Sequence, residues 1–405
     1  MLEMRNGKVM MDKKEICFRV GTRNCAESNL FLRKFYEVMS HSMKVAWNFQ
    51  SFREGKSIYV GTASFGEMWI EYQERGKIDK VRIRPEAEEY YAIVESALKE
   101  ARDTCLNSFI NYKVVLSVSS EEIRIRPQAC GNISVSYDEE RCRNLLTFNV
   151  KAFGDFDFRY VINQKANYIR HLLCIYTNAI FQVAIVGKSV EDYECADTGW
   201  QEYDYNWVDT SDIFVSETEL LLSPDFYRIL NFVLKDIQYE RSLRLILNSA
   251  QQLFIANLMK RDAFSSGEYN IPGYVDLINT TLVSSLEPVA NLDADEPETC
   301  KECGQLKYSI RKKVKDLCQK YLPDHLVKMI SNDLYSDRSK FLHEGNPRTN
   351  EFYCGRCVPL LDPTSGRDIM QPVCSIDLNM FEYVSYVIRK VIGEQQLDDC
   401  ERKVK

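Results

Sequence analysis

A guanidinium and an imidazole lie five positions apart in the segment DLYSDRSKFLHEG, residues 333–345. They belong to Arg338 and His343. A histidine accepts or donates a proton near neutral pH, and an arginine keeps its charge and binds phosphate oxygens. Such a pair could catalyse transesterification at a phosphodiester, because that reaction needs proton transfer and a cation but no metal-bound water.

The surrounding positions give this pair a structural context. Leu326, Ile330 and Leu334 form an apolar stripe at four-residue steps, and Arg338 is the next step along it. The pattern therefore places a permanent cation at the edge of a buried face, where it requires an anion. His343 comes shortly before Gly345, which is typical of a helix end, so we expect an exposed imidazole.

The same region is basic within an acidic chain. Residues 301–348 contain eleven Lys and Arg against six Asp and Glu, and Lys307, Arg311 and Lys315 share one predicted helical face. This charge suits a phosphate backbone, and Lys340 is a further candidate RNA contact. A solely structural interpretation stays open, in which His343 interacts with the helix dipole and Arg338 pairs with a nearby aspartate on the surface. The remaining histidines have no partner at catalytic spacing and are interpreted as structural; they are His41, His171 and His325.

Two CxxC pairs in the same half could hold a metal. They are Cys300 with Cys303 and Cys354 with Cys357. Two such pairs supply the four thiolates of a tetrahedral Zn²⁺ site, and a helical hairpin turning at Pro323 would bring the pairs together. A complete four-sulfur shell predicts a structural zinc and no catalytic metal. The alternatives are thiols packed as small apolar groups and a redox dithiol.

The N-terminal half combines strand and helix patterns. Strands are predicted at 57–63, 67–72 and 80–84, and later in the segments NISVSY, LLTFNV and FQVAIVG. Residues 112–127 resemble a hairpin turning at Ser119 and Ser120. Helical periodicity is predicted at about 28–45, 86–108 and 158–176. Residues 1–205 are therefore expected to form an α+β domain.

An acidic segment separates the two halves. Residues 191–212 contain eight acidic and no basic residues, and we take 191–214 as a linker region. One interpretation is a solvated loop. The other is a docking surface for a basic partner, whose aromatic anchors would be Trp200, Tyr203, Tyr205 and Trp207.

Helices dominate the predicted structure of residues 215–405. They are expected at about 223–236, 239–263, 272–288, 304–321, 324–344 and 377–396. Their amphipathic patterns predict an all-α bundle, with the cysteine pairs clamping its loops.

Composition excludes several classes of protein. The 405 residues are 45% apolar and 27% charged, which is enough for two or three folded domains. The net charge of −7 argues against a surface that coats nucleic acid or anionic membrane. A signal peptide and an apolar run of about 20 residues are not found, so we expect a cytoplasmic protein without membrane contact. Fourteen scattered cysteines favour reduced thiols.

The string RSKFLHEG at the end of a late helix resembles the R-x4–6-H signature of HEPN-domain ribonucleases. It is most similar to that of the ApeA-like and abortive-infection members of bacterial phage defence. The resemblance covers about residues 220–400, and the segment Leu282–Glu287 is similar to the family's acidic-residue helix. Residues 1–205 resemble no family.

The resemblance implies a metal-independent endoribonuclease that acts on cellular RNA, with tRNA as one candidate substrate. It implies that His343 is the general base or acid on the ribose 2′-hydroxyl and that Arg338 stabilises the phosphate charge. Ser339 matches a polar residue that follows the arginine, and Glu287 corresponds to the carboxylate that positions it. The family also implies a homodimer with both motifs at the interface, in an antiphage role.

Helix geometry raises an objection to a site within one chain. Five residues of a regular helix correspond to a rotation of about 140° and a rise of about 7.5 Å, so Arg338 and His343 would not share a face. Either the helix ends or distorts before His343, or two chains share the site. In both cases we expect the N-terminal half to restrain the nuclease until a phage-derived or protein trigger acts on it. The alternative function is a zinc-stabilised scaffold that binds RNA or protein without cleavage.

Overall fold

The computed structural model describes residues 15–120, 123–200, 206–208, 219–235, 241–266, 273–292, 310–345, 349–350, 361, 371–372 and 379–395. Within these residues, antiparallel sheets with helices precede a region that is mostly helical. The predicted α+β class is confirmed at this level of description.

The first sheet is built from five strands, which are Ile16–Arg19 (β1), Trp47–Glu54 (β2), Ser57–Ala63 (β3), Gly66–Glu74 (β4) and Lys77–Pro85 (β5). They pair antiparallel in the order β1–β5–β4–β3–β2. Two helices share a core with this sheet, Cys25–Ser42 (α1) and Tyr90–Thr104 (α2). Alternation in the strands directs Met68, Val81 and Ile83 into that core, where all three are fully buried.

The second sheet also has five antiparallel strands, which are Ile110–Ser119 (β6), Gln128–Cys130 (β8), Ile133–Asp138 (β9), Arg143–Ala152 (β10) and Gln182–Ser189 (β11). Their order is β11–β6–β10–β9–β8. The long helix Asp155–Thr177 (α3) connects β10 to β11 and packs against both strands. Two short strands, Arg124–Ile125 (β7) and Glu219–Leu220 (β12), pair in parallel beside this sheet.

The predicted hairpin turning at Ser119 and Ser120 is wrong. Strand β6 pairs with β10 and β11, whereas β7 pairs with β12. The buried Asn144 redirects the chain, because its side-chain amide donates to the carbonyl oxygens of Val118 (3.1 Å) and Ile123 (3.0 Å). Its Oδ1 accepts from the backbone N–H of Ile125 at 2.7 Å. One side chain thus satisfies the backbone groups that a hairpin would have paired.

The remaining described elements are mainly helices, namely Pro224–Leu234 (α4), Arg241–Ser266 (α5), Tyr274–Ser284 (α6), Leu286–Ala290 (α7), Ile310–Gln319 (α8), Asp324–Lys328 (α9), Tyr335–Glu344 (α10) and Asn379–Glu394 (α11). A π-helical segment, Met329–Leu334, joins α9 to α10. Two two-residue strands, Thr349–Asn350 (β13) and Gln371–Pro372 (β14), pair in parallel. The helix predicted at 272–288 is interrupted at Ser285, which separates α6 from α7.

The buried apolar residues of the described part form two separate hydrophobic cores. The first lies between β1–β5, α1 and α2 and also receives Phe153. The second is continuous from β6 to α11, so the second sheet and the C-terminal helices share it. The cores therefore divide near residue 110 and not at residue 205. The predicted division into domains 1–205 and 215–405 stays a prediction.

A buried ion pair connects the two cores. Arg33 on α1 donates from Nε and Nη2 to the two carboxylate oxygens of Asp157 on α3, at 2.7 and 2.8 Å. The Asp157 side chain is only 1% exposed. On the same helix as Arg33, Glu37 accepts the backbone N–H of Asp157 at 2.6 Å. The first turn of α3 is thus held by two side chains of α1.

Most residues in the described part of the acidic segment, 191–200, are exposed and lie outside helices and strands, and two side chains attach this loop to the second sheet. Tyr193 contacts Ser134 through its hydroxyl at 2.5 Å, and Asp197 accepts the backbone N–H of Gly131 at 2.5 Å. Trp207, proposed as an anchor for a partner, is 6% exposed and stacks under Arg389 of α11. The docking interpretation is therefore wrong for Trp207. Tyr203 and Tyr205 lie outside the described residues.

None of the helices in the described part of the chain combines the length and apolar character that a membrane span requires. Eight cysteines lie within that part, and each of them is a free thiol.

A partly buried histidine on α3 predicts that the fold loses stability in mild acid. The ring of His171 lies against that of Phe254 in a tilted arrangement (4.9 Å between centroids, 43° between planes), and its Nδ1 has no hydrogen-bond partner among the described residues. Burial, with a smaller effect of Arg170, lowers the pKa of His171 to about 4. The unfolded chain binds this proton at about pH 6.5, so stability falls as the pH drops from 6.5 towards 4, by about 2–3 kcal/mol in total.

The measurement is the urea midpoint between pH 7 and pH 4. His171→Phe keeps a ring against Phe254 but cannot titrate, so we expect its midpoint to vary less with pH than that of wild type. The exposed His325 provides the matched control, His325→Phe, which should follow wild type. Equal pH dependence of wild type and His171→Phe would contradict the assignment of this acid sensitivity to His171.

Candidate active site

The segment from α9 to α10 was predicted as one helix over 324–344, and the structure adds a π-helical turn within it. Beyond this turn the buried apolar face shifts by one residue: Ile330 is fully buried, but Tyr335 replaces Leu334 as the next buried apolar side chain. Insertions of this type recur at functional sites, because the extra residue reorients the side chains after it. Arg338 comes three positions after Tyr335 and therefore lies on the same face of α10 as Tyr335.

Arg338 is held by three side chains. Its Nε donates to Ser284 Oγ at 2.8 Å, and its Nη2 lies 2.9 Å from Glu287 Oε1. Its guanidinium carbon lies 5.1 Å from the centroid of the Tyr335 ring. Ser284 ends α6 and Glu287 lies in the first turn of α7, so the break between these helices directs both side chains at the arginine.

Tyr335 completes the cluster through the same carboxylate. Its hydroxyl donates to Glu287 Oε1 at 2.5 Å. Burial, followed by the interaction with Glu287, raises the pKa of Tyr335 above its usual value. The phenol therefore remains protonated near neutral pH and acts as a hydrogen-bond donor to Glu287, not as a general base.

The cluster leaves hydrogen-bonding capacity for a ligand. Arg338 has five N–H donors, and two of them are used by Ser284 and Glu287. The other three have no partner among the described residues. The side chains of Arg338 and Glu287 are 20% and 23% exposed, so an incoming anion can reach the guanidinium. A fixed, partly desolvated guanidinium with free donors is suited to binding a phosphate.

His343 lies on a different face of α10 from Arg338. The helix continues to Glu344 and ends at Gly345, which adopts the left-handed conformation (φ 69°). Between Arg338 and His343 the helix is thus regular, because the π turn precedes Arg338. A site shared by two chains stays a prediction. The imidazole is exposed and makes no hydrogen bond or ion pair with any described residue. A single chain thus does not place the imidazole beside the guanidinium.

The other predicted site residues are distributed around this cluster. Ser339 and Lys340 are exposed on α10, and Lys315 is exposed on α8. Arg311 is engaged in the fold, because its Nε donates to the carbonyl oxygen of Ser331 (2.8 Å) and its Nη2 to Asn332 (3.2 Å). Arg311 therefore fastens α8 to the π turn, and its contact with RNA stays a prediction.

Several predictions fall outside the described residues. They concern Lys307, Cys300, Cys303, Cys354 and Cys357. Within the residues that are described, no three His, Cys, Asp or Glu side chains are arranged to hold a metal ion. The structural zinc site stays a prediction.

Two members of the cluster were not singled out from the sequence, Ser284 and Tyr335. Each lies three positions before a residue that was singled out, Glu287 and Arg338 respectively. For Tyr335 the helical i,i+3 spacing is a usable signal. The helix predicted at 272–288 gave Ser284 and Glu287 the same spacing, although the structure places them in two helices, α6 and α7.

No protein-family model, no curated protein and no solved structure matches this chain. The geometry of the site is therefore the basis on which a function can be assigned.

Proposed function

We propose that this protein is a metal-independent endoribonuclease of the HEPN type. The observation that carries the proposal is the position of Arg338, which is fixed by Glu287 and Ser284 and has three N–H donors that no described residue engages. A guanidinium held in advance of the reaction can stabilise the charge of a pentacovalent phosphate without rearranging. RNA, with tRNA among the candidates, is the proposed substrate.

The proposed active site is shared by two chains of a homodimer. Because α10 directs His343 away from its own Arg338, the histidine of one chain would act at the arginine of the other. The imidazole removes the proton of the ribose 2′-hydroxyl, the 2′-oxygen bonds to phosphorus, and the bond to the 5′-oxygen breaks. The protonated imidazole then returns its proton to the 5′-oxygen, which leaves a 2′,3′-cyclic phosphate. The proton and the bonds of this reaction balance without a metal ion or a redox partner.

The biological role that we propose is antiphage abortive infection in the cytoplasm. A nuclease that degrades the host's own RNA must be held inactive, and the N-terminal half is proposed to restrain it until a phage-derived or other protein trigger binds. A structural zinc held by Cys300, Cys303, Cys354 and Cys357 belongs to the proposal as well. It would contribute to stability and take no part in the reaction.

The test is RNA cleavage in the presence of EDTA. Total tRNA and mRNA are incubated with wild type and with His343→Ala, with and without extracts of infected cells as the source of trigger. We expect wild type to produce fragments with cyclic phosphate ends and the variant to produce none. Identical RNA profiles for both proteins under every condition would contradict the proposal.

The second candidate is a zinc-stabilised scaffold that binds RNA or protein without cleaving. The observation that favours it is the separation of Arg338 and His343 on one continuous helix. In that case the exposed Lys315 and Lys340 would determine affinity for RNA, and His343→Ala would leave RNA binding unchanged. The salt dependence of binding distinguishes the two, because only lost phosphate contacts reduce its slope.

A further inference from the structure

A cavity of about 430 Å³ lies between α3, α4, α11 and the segment 206–208. It contains none of the residues of the candidate active site, so a ligand bound in it would be independent of the proposed function. Its volume is within the range of small-molecule sites in proteins. The residues that decide its chemistry are charged, aromatic or hydroxyl-bearing, namely Tyr176, Asp225, Tyr386, Arg389, Lys390 and Glu394.

Arg389 is a buried cation that no described carboxylate contacts. It is 7% exposed, and within the described residues no carboxylate lies within 4 Å of its guanidinium. Its three hydrogen bonds go to neutral acceptors, the carbonyl oxygens of Ile175 (3.1 Å) and Trp207 (2.8 Å) and the Ser385 hydroxyl (3.0 Å). Burial lowers its pKa to about 10. Buried charges in proteins are normally paired, so this one requires an anion that the described residues do not provide at contact distance.

The donors of Arg389 are also incompletely used. Three of its five N–H groups are engaged, and the remaining two have no partner among the described residues. Trp207 stacks on the guanidinium at 3.6 Å and fixes its plane. A planar guanidinium with two free donors matches two oxygens of a phosphate or carboxylate.

Two neighbouring groups reinforce this preference. Lys390 contributes a second positive charge, and its ammonium contacts only the Asn206 amide oxygen, at 3.1 Å, among the described residues. The hydroxyl of Tyr176 is buried in the cavity wall and has no hydrogen-bond partner of normal geometry within that part of the chain. Both can donate to an anion beside Arg389.

The two carboxylates in the cavity wall are engaged elsewhere. Asp225 pairs with Arg228 at 3.1 Å, and Glu394 accepts the hydroxyl of Tyr321 at 2.7 Å. They therefore do not neutralise Arg389, but each retains lone pairs that can accept from hydroxyl or amino groups. An aromatic ring is also present, because Tyr386 lines the same space.

We propose that this cavity binds a nucleoside monophosphate. The phosphate would be bound by Arg389, Lys390 and Tyr176, and the ribose hydroxyls would donate to Asp225 or Glu394. The base would lie against the Tyr386 ring. A bound phosphate would satisfy the buried guanidinium and would connect α3, the segment 206–208 and α11 through one ligand.

The test is calorimetric titration of the full chain with AMP, GMP, CMP and UMP, and with inorganic phosphate for comparison. We expect saturable binding of at least one nucleotide, and weaker binding of phosphate alone. Lys390→Gln should weaken this binding about tenfold, because it removes one charge-assisted hydrogen bond. Lys312→Gln, which changes an exposed lysine on α8, is the matched control and should bind as wild type does.

Arg389→Lys keeps the charge but removes the planar fork, and we expect at least a tenfold loss of affinity. Because Arg389 is buried, the melting temperature of Arg389→Lys is compared with that of wild type. If Arg389→Lys unfolds, the proposal is tested by Lys390→Gln alone. Three results would overturn the proposal: no binding of any nucleotide up to about 1 mM, equal affinity for inorganic phosphate, or nucleotide affinity unchanged by Lys390→Gln.

Discussion

Alanine at position 338 is expected to reduce the rate of RNA cleavage in EDTA by about 10²–10³-fold, the usual cost of removing one group that stabilises transition-state charge. Among the described residues, Arg338 is the cation that Glu287 and Ser284 hold in place, whereas Arg311 is engaged with Ser331 and Asn332. Cleavage is measured as the initial rate of fragment formation. Arg338→Lys should recover only part of the activity, since an ammonium keeps the charge but lacks the planar fork of the guanidinium.

Two controls separate chemistry from folding. Arg244→Ala removes an exposed arginine of α5 that has no ion pair among the described residues and should leave the rate unchanged. The melting temperature of Arg338→Ala should fall only slightly, because the pair with Glu287 is partly exposed. If Arg338→Ala cleaved RNA at the wild-type rate, the proposed role of Arg338 in the reaction would be contradicted.

Methionine at position 33 is expected to lower the free energy of unfolding by about 3–5 kcal/mol. The substitution keeps much of the apolar stem but leaves the buried Asp157 carboxylate without its cation. Asp157 also accepts the backbone N–H of Phe153 at 2.9 Å, so the loss extends to the start of α3. The measurement is the midpoint of urea unfolding, detected by circular dichroism.

A matched substitution tests the role of burial in this effect. Arg261→Met breaks an ion pair with Asp262 in which both side chains are about half exposed, and it should cost less than about 1 kcal/mol. Adding Asp157→Asn to Arg33→Met should restore part of the loss, because the amide carries no charge to compensate. Equal midpoints for Arg33→Met and Arg261→Met would contradict the expectation that burial makes the pair of Arg33 and Asp157 the more stabilising one.

Local patterns predicted most elements, and non-local contacts explain the errors. The apolar stripe in the sequence correctly predicted α5 and its buried face, since Ile246, Ala250 and Leu253 are all fully buried. The hairpin at Ser119 failed because Asn144, a residue distant in sequence, pairs the backbone groups of that turn. The shared core of the second sheet and the C-terminal helices was not predicted either, since no periodic pattern indicates which faces meet.

The candidate site was predicted in part. A cation at the end of an apolar stripe indicated a need for an anion, and the structure places Glu287 beside Arg338. The π turn could not be read from sequence, because the residues Met329–Leu334 fit an ordinary helical pattern equally well. The catalytic roles of Arg338, His343, Ser339 and Glu287 stay predictions.

Mixing two inactive variants tests the shared active site most directly. Arg338→Ala and His343→Ala are co-expressed with different tags, and their activity is compared with that of wild type at equal concentration. If each site takes its arginine from one chain and its histidine from the other, half of the dimers carry one intact site, and about one quarter of wild-type activity returns. If the mixture forms mixed dimers but remains as inactive as either variant alone, the proposal of an active site shared between two chains is contradicted.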